Sequence, residues 1–235
     1  MTDFANGEHA QDEIAPYSIV DEGRLRFMLS SRDFIQAFTV SLRMLGACFV
    51  YPPTDEGSLG ALQTIRSMDV SQNWPFGGSR PMMQVVMMLA QGQMESQSEL
   101  ESEFQRLFRN ADTCVAPPFG SVYMDPSQAM RGWTWKALCD WMTAHGINAQ
   151  YEEDEPEDQF GRLMVLAAEL ANACPNLLAE FLGDHLLCWS GRYLELFQTD
   201  RIPLTYRGLA MLASITLDDV QETLGILPAK RVFYR

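Results

Sequence analysis

From Ser31 onward the apolar residues of this chain recur at intervals of three and four, and no stretch alternates with period two. That spacing stacks side chains along one face of an α-helix and does not suit a half-buried strand. Phe34, Ile35, Phe38, Leu42 and Leu45 define a first helix, which Pro52-Pro53 stops. Leu59, Leu62, Ile65 and Met68 define a short second one. Pro81 then opens Met82–Ala90, apolar on nearly all sides, which predicts a buried helix. Leu100, Phe104, Leu107 and Phe108 share one face, with acids early and Arg106 and Arg109 late, as the helix dipole favours. Residues 110–125 carry Pro117-Pro118, Gly120 and Asp125-Pro126, and predict a structured loop.

Further helices are expected over Trp133–His145, closed by Gly146, and from Phe160 to Leu170. Another is started by Pro175 and bent near Gly183, and a last one is opened by Pro203 and closed by Gly225. No Gly/Ser linker and no internal repeat divides the pattern. The expectation is an all-α fold: a single helical-bundle domain of about eight helices over residues 31–235, behind a polar, acidic lead-in over 1–30.

Charge narrows the partners. Seventeen Lys+Arg stand against 31 Asp+Glu, a net charge of −14 over 235 residues, which opposes nucleic acid and anionic lipid and suits a basic peptide. The first residues lack a cationic segment followed by an apolar one, so no cleaved leader is expected. Unbroken apolar runs such as Met44–Tyr51 fall well short of the ~20 residues of a membrane span. A cytoplasmic protein without membrane insertion follows. Five cysteines, no two closer than fourteen residues, read as reduced, core-filling thiols rather than metal ligands.

Catalytic templates fail. The sequence has no HExxH, no GxSxG, no P-loop and no GxGxxG, and Phe76-Gly77-Gly78-Ser79 reads as a turn. Of three histidines, His9 lies in the lead-in, His145 ends a helix, and His185 sits among Leu182, Leu186 and Trp189. No catalytic residue, metal or cofactor is expected, and the protein is read as a non-enzyme. Aromatic side chains on the proline-rich loop are the better candidates for a ligand surface, since they anchor peptides at low entropic cost.

Four segments in order carry a resemblance: Glu103–Phe108, Pro117–Tyr123, Glu155–Gly161 and Phe181–Trp189. Asn73-Trp74-Pro75, Arg43–Gly46 and the ending Val232–Arg235 support it. Over residues 34–235 the chain resembles the TorD/DmsD/NarJ family of redox-enzyme maturation chaperones, and DmsD-like members most. The resemblance implies an all-helical cytoplasmic chaperone that binds the twin-arginine leader of a molybdopterin oxidoreductase, typically the catalytic subunit of a DMSO reductase. Such a chaperone delays export until the cofactor is inserted, and components of the twin-arginine translocase are further partners.

By the same resemblance the leader-binding region includes Phe104, Leu107, Phe108, Pro117, Pro118, Phe119, Ser121, Tyr123, Gly132, Asp158 and Gln159, with Arg43 nearby, and His185 and Trp189 in the last segment. The family's Glu-Pro-x-Asp-His reads Glu-Pro-Glu-Asp-Gln here. Gln159 keeps a donor and an acceptor but cannot titrate near neutral pH. Cys188 also stands where proline is common. Two alternatives remain open: an assembly chaperone for the mature part of a molybdoenzyme subunit, and a guanine-nucleotide-binding protein of the same fold.

The residues themselves suggest how a leader would be held. Its paired guanidinium groups call for carboxylates beside an apolar groove. Glu152 to Asp158 supply six acids in seven positions ahead of an apolar helix. Glu155 and Asp158 are the expected contacts; Glu152, Glu153 and Asp154 are read as solvated surface. Phe104, Phe108, Phe119 and Tyr123 would line the groove, as in helix-in-groove recognition. Arg43 either snorkels or pairs with a carboxylate, Asp158 being the candidate.

Overall fold

The computed structural model describes residues 15–109, 114–148, 155–199 and 201–235. It is all-α, with one two-stranded sheet. His9, residues 110–113 and Glu152–Asp154 lie outside the described residues.

Inside the expected lead-in the chain forms β1 (Ser18–Ile19) and α1 (Glu22–Ser30). Asp21 caps α1 by accepting the Arg24 N–H (2.9 Å). β1 pairs antiparallel with β2 (Ile226–Leu227), Ser18 opposite Leu227, and so ties the N-terminal segment to the C-terminal one.

The centre of the molecule is α2 (Arg32–Val50) packed along α9 (Phe160–Ala173). Ser31 caps α2 through the Phe34 N–H, and the helix ends ahead of Pro52 as its sequence requires. α2 is long and apolar enough to cross a membrane by length and composition, yet 56% of its apolar window is buried, much of it against α9, so it serves as a core helix. Two glycines let the pair approach closely. A Cβ on Gly46 would lie 2.8 Å from the Gly161 carbonyl oxygen, and one on Gly161 2.7 Å from that of Gly46.

α3 (Glu56–Ser67) leans on α2, and the single turn α4 (Val70–Asn73) leads to α5 (Ser79–Gly92). Gly77, at φ +76°, makes the intervening turn. α5 packs on α12 (Leu204–Leu224). It is not buried all round as its composition suggested. Met82, Val85, Met88 and Leu89 face the core, while Met83 and Met87 are more than half exposed, because only α12 and α4 cover it substantially. Glu95 accepts the N–H groups of Leu204 and Thr205 (2.7 and 3.1 Å), placing a carboxylate on the N-terminus of α12.

The remaining elements are α6 (Gln97–Phe104) with a π-turn at Gln105–Arg109, α7 (Gly120–Met124), α8 (Trp133–Ala144), α10 (Pro175–Phe181) and α11 (Leu187–Leu196). The bend expected near Gly183 is a second π-turn, Leu182–Leu186. Gly225, at φ +65°, closes α12. The described cysteines, Cys48, Cys114, Cys139, Cys174 and Cys188, are all free thiols.

Close backbone contact at the α2–α9 crossing yields a stability prediction. Gly161→Ala should cost about 1–3 kcal/mol in urea unfolding, since the facing carbonyl cannot yield without parting the helices. Gly60→Ala, where a Cβ meets nothing within 4 Å, should leave stability unchanged or slightly raised.

Candidate functional site

Two loops that are far apart in sequence close against each other beside α7. Phe119 and Gln159 form an antiparallel bridge, the Phe160 N–H donates to the Pro118 carbonyl (2.7 Å), and the Gly120 N–H donates to that of Asp158 (3.2 Å). Pro117 and Pro118 suit this segment because neither has an N–H to leave unsatisfied in its buried surroundings. The Asp158 side chain completes the clasp: Oδ2 accepts the Ser121 N–H at the start of α7 (2.7 Å).

Asp158 is 4% exposed, and its Oδ1 has no hydrogen-bond partner. Burial pushes its carboxyl up to about 6, although the Ser121 N–H pulls the other way. The carboxyl lines a small cleft of about 40 Å³ between α7, α8 and the π-turn ahead of α11. Thr134, whose buried hydroxyl is likewise unpartnered, shares this cleft with Trp133, Trp189 and His185. Asp184, His185 and Arg231 belong also to a wider hollow of about 420 Å³, which Trp141 and Glu180 line on its other side. The Trp141 indole N–H donates to Glu180 Oε1 (2.9 Å) and Arg231 pairs with Asp184 Oδ1 (3.2 Å).

His185 is half-buried between the Trp141 and Phe181 rings, at 5.3 and 6.1 Å. Burial and then the Arg231 cation lower its imidazolium to about 4, so the ring is neutral at pH 7. The Trp189 indole stacks on Tyr123 (5.6 Å) and donates its N–H to the His185 carbonyl (2.9 Å). The combination is an anionic floor and rim with aromatic walls, the chemistry that receives a cation followed by an apolar side chain.

The expected site residues divide into groups. Ser121, Asp158, His185 and Trp189 come together at the cleft. Gly132 stands at the head of α8, where Asp125 Oδ2 accepts the Trp133 N–H (2.9 Å), and a Cβ on Gly132 would strike that oxygen at 2.3 Å. It adjoins Trp133 and Thr134, which line the cleft, and is not itself among the lining residues.

Phe104, Leu107, Phe108, Phe119 and Tyr123 do not line a groove; all are buried in the core. Phe108 packs against Phe104, Phe49, Phe197 and Tyr206 with ring centroids 4.9–5.7 Å apart. The physical reason is that the face these side chains share packs against Phe49, Phe197 and Tyr206 instead of turning outward. Pro117 and Pro118 are buried with them.

Glu155 is already engaged, held by Arg109 and, at 3.1 Å, by Arg162. It therefore offers no open carboxylate. Gln159 is 1% exposed and spends both ends of its amide: Oε1 accepts the Arg162 N–H and caps α9, and Nε2 donates to the Phe49 carbonyl. Arg43 is exposed on α2 and does not pair with the buried Asp158; of its two expected fates, reaching to solvent is the one seen.

Sequence reasoning did not single out Thr134, Glu180, Asp184 and Arg231 as site residues. The i, i+4 spacing of Glu180 and Asp184, two acids in an otherwise apolar run, was the available signal. Among the described residues no group of three or more His, Cys, Asp or Glu side chains is placed to hold a metal ion.

Buried Asp158 carries a pH signature. Its carboxyl titrates near 6 in the folded chain and near its ordinary 3.8 when unfolded, so between those values the folded state holds the extra proton. The contribution of this group to stability is present below about pH 4 and is lost as pH rises through 6. Unfolding titrations should show wild type losing up to about 3 kcal/mol relative to Asp158→Asn between pH 4 and 7. A constant difference across that range would contradict the burial of an ionising carboxyl.

A family model described as nitrate reductase delta subunit matches residues 79–195. The chain is 34% identical over 203 residues to a protein named probable Tat proofreading chaperone DmsD from Haemophilus influenzae, covering 86% of this chain and 98% of that one. It is 33% identical over 199 residues to the Tat proofreading chaperone DmsD of Salmonella paratyphi A, covering 84% and 96%. A chaperone protein TorD from Aliivibrio fischeri is 26% identical over 118 residues, 45% of this chain and 55% of its own. At this identity and coverage the chain belongs to the TorD/DmsD/NarJ family of redox-enzyme maturation chaperones.

Proposed function

We propose that this protein is a cytoplasmic chaperone that binds the twin-arginine signal peptide of a molybdopterin oxidoreductase, of the DMSO reductase catalytic-subunit type. By holding the leader it delays export through the twin-arginine translocase until cofactor insertion and folding are complete. Relatives named Tat proofreading chaperones make this the natural class. The observation that carries the reading for this chain is the buried carboxylate of Asp158, with one oxygen unpartnered, on an aromatic-walled cleft whose rim bears Asp184.

A leader arginine directed at Asp158 and Asp184 gains charge-assisted hydrogen bonds, and the apolar residues behind it gain the faces of Trp133 and Trp141. Trp133 is 49% exposed at the mouth of the cleft, an uncommon position for so large an apolar side chain. The surplus of acids, −14 over the chain, accelerates encounter with a cationic peptide and leaves final affinity to the cleft.

A second reading has its own observation. Met83 and Met87 present an exposed, adaptable apolar strip on α5, suited to holding a mature subunit rather than its leader.

Titration with a synthetic twin-arginine leader separates the two. Micromolar or tighter binding is expected, with a twin-lysine peptide at least about tenfold weaker because lysine cannot pair bidentately. Asp158→Asn should weaken the arginine peptide by about tenfold or more, with the melting temperature held or raised. Equal affinity for the two peptides, or binding only to leader-deleted subunit that Met83→Ser/Met87→Ser abolishes, would select the second reading.

A further inference from the structure

Residues 228–235 form an irregular strap beside the cleft, which Arg231 lines. The Ala229 N–H donates to the Gly183 carbonyl (3.0 Å) at one end, and the Tyr234 N–H donates to that of Tyr123 (2.8 Å) at the other. Gln128 Nε2 and the Arg235 guanidinium fasten its far end, the first donating to the Tyr234 carbonyl and the second to that of Cys114. Between the anchors the strap presents Lys230 and Arg231, then Val232, Phe233 and Tyr234, the last three 37–43% exposed.

The order is a pair of cations followed by an apolar run. That is the chemical order of the ligand the cleft is read to receive. Arg231 already occupies such a place: its guanidinium lies 3.2 Å from Asp184 Oδ1 and lines both hollows beside His185. The neighbouring Asp158 oxygen, nine-tenths buried and without a partner, is left over in the same cleft.

We propose that the strap is an internal stand-in for the leader: Arg231 fills the Asp184 guanidinium site, and an incoming leader arginine takes that site by displacing it. This rests on the leader-binding reading and adds its regulation. Asp184 thereby never stands as an unpaired half-buried carboxylate when no client is present, and the hollow is closed to stray basic peptides whose single cation cannot outcompete a tethered one. A leader prevails because it brings a second guanidinium, for which Asp158 is free. The two acids divide the work: Asp184 exchanges one arginine for another, while Asp158 gains a partner it lacked.

The test uses the full-length chain carrying Lys230→Ala and Arg231→Ala together, with Arg231→Gln as a milder companion, and a synthetic twin-arginine leader titrated by calorimetry. If the strap occupies the site about nine-tenths of the time, its removal should tighten leader binding by about tenfold. A free peptide of sequence Lys230–Arg235 should compete with the leader on the double variant. Unchanged or weaker leader affinity in both variants, with wild-type melting temperatures, overturns the strap proposal while leaving leader binding intact. Binding by the variants where wild type shows none supports strap and leader together. No binding by wild type or either variant removes the leader reading and the strap proposal with it.

Discussion

One hydrogen-bonded clasp holds together the candidate site of this molecule. The Asp158 carboxylate is held to the first turn of α7 by the Ser121 N–H, and the surrounding loops are pinned by the Phe119–Gln159 bridge. Without that clasp nothing would keep a carboxylate in a dry position against α8 and the second π-turn. Burial costs the charged form, which is why this acid titrates near 6. The same burial makes a cationic ligand valuable, since a charge-assisted hydrogen bond to a desolvated carboxylate strengthens as the local dielectric falls. Strain in the protonation equilibrium and capacity for recognition have a single origin.

Around that point the molecule separates its acids by role. Glu155 neutralises Arg109 and Arg162 and steadies the joint between the π-turn and α9. Glu95 and Asp125 serve the N-termini of α12 and α8. Asp158 and Asp184 line the small cleft, and Asp184 with Glu180 the wider hollow beside it. A net charge of −14 is therefore a poor guide to contacts; it sums carboxylates that cap helices, pair with arginines or line the candidate site.

Much of the fold was legible in the sequence because helical periodicity is local. Ser31, Pro175, Pro203 and Gly225 stand where caps, starts and stops belong, and each marks a helix end in the structure. α1 escaped because it is short and largely exposed, and α5 was misjudged because composition does not say how many neighbours a helix has. The site was legible only in part. Asp158 and His185 were reached through resemblance, and the clasp joins two of the four segments that carried it. Phe104 and Phe108 do not face a groove: spacing shows that they share a face, but only the packing of Phe108 against Phe49, Phe197 and Tyr206 shows that the face is internal. Arg231 could not be read at all, since the tail carries no periodicity and its partner lies 47 residues earlier.

On the proposed function, a leader's arginine pair and the apolar residues behind it sit in the cleft between α7, α8 and α11. Photo-crosslinking reads that placement directly, using a twin-arginine peptide with a photoreactive side chain immediately after the second arginine, followed by peptide mapping. Adducts on Trp133, Thr134 or His185 are the predicted result. Adducts confined to the Met83 and Met87 face of α5, with the cleft unlabelled, would contradict it.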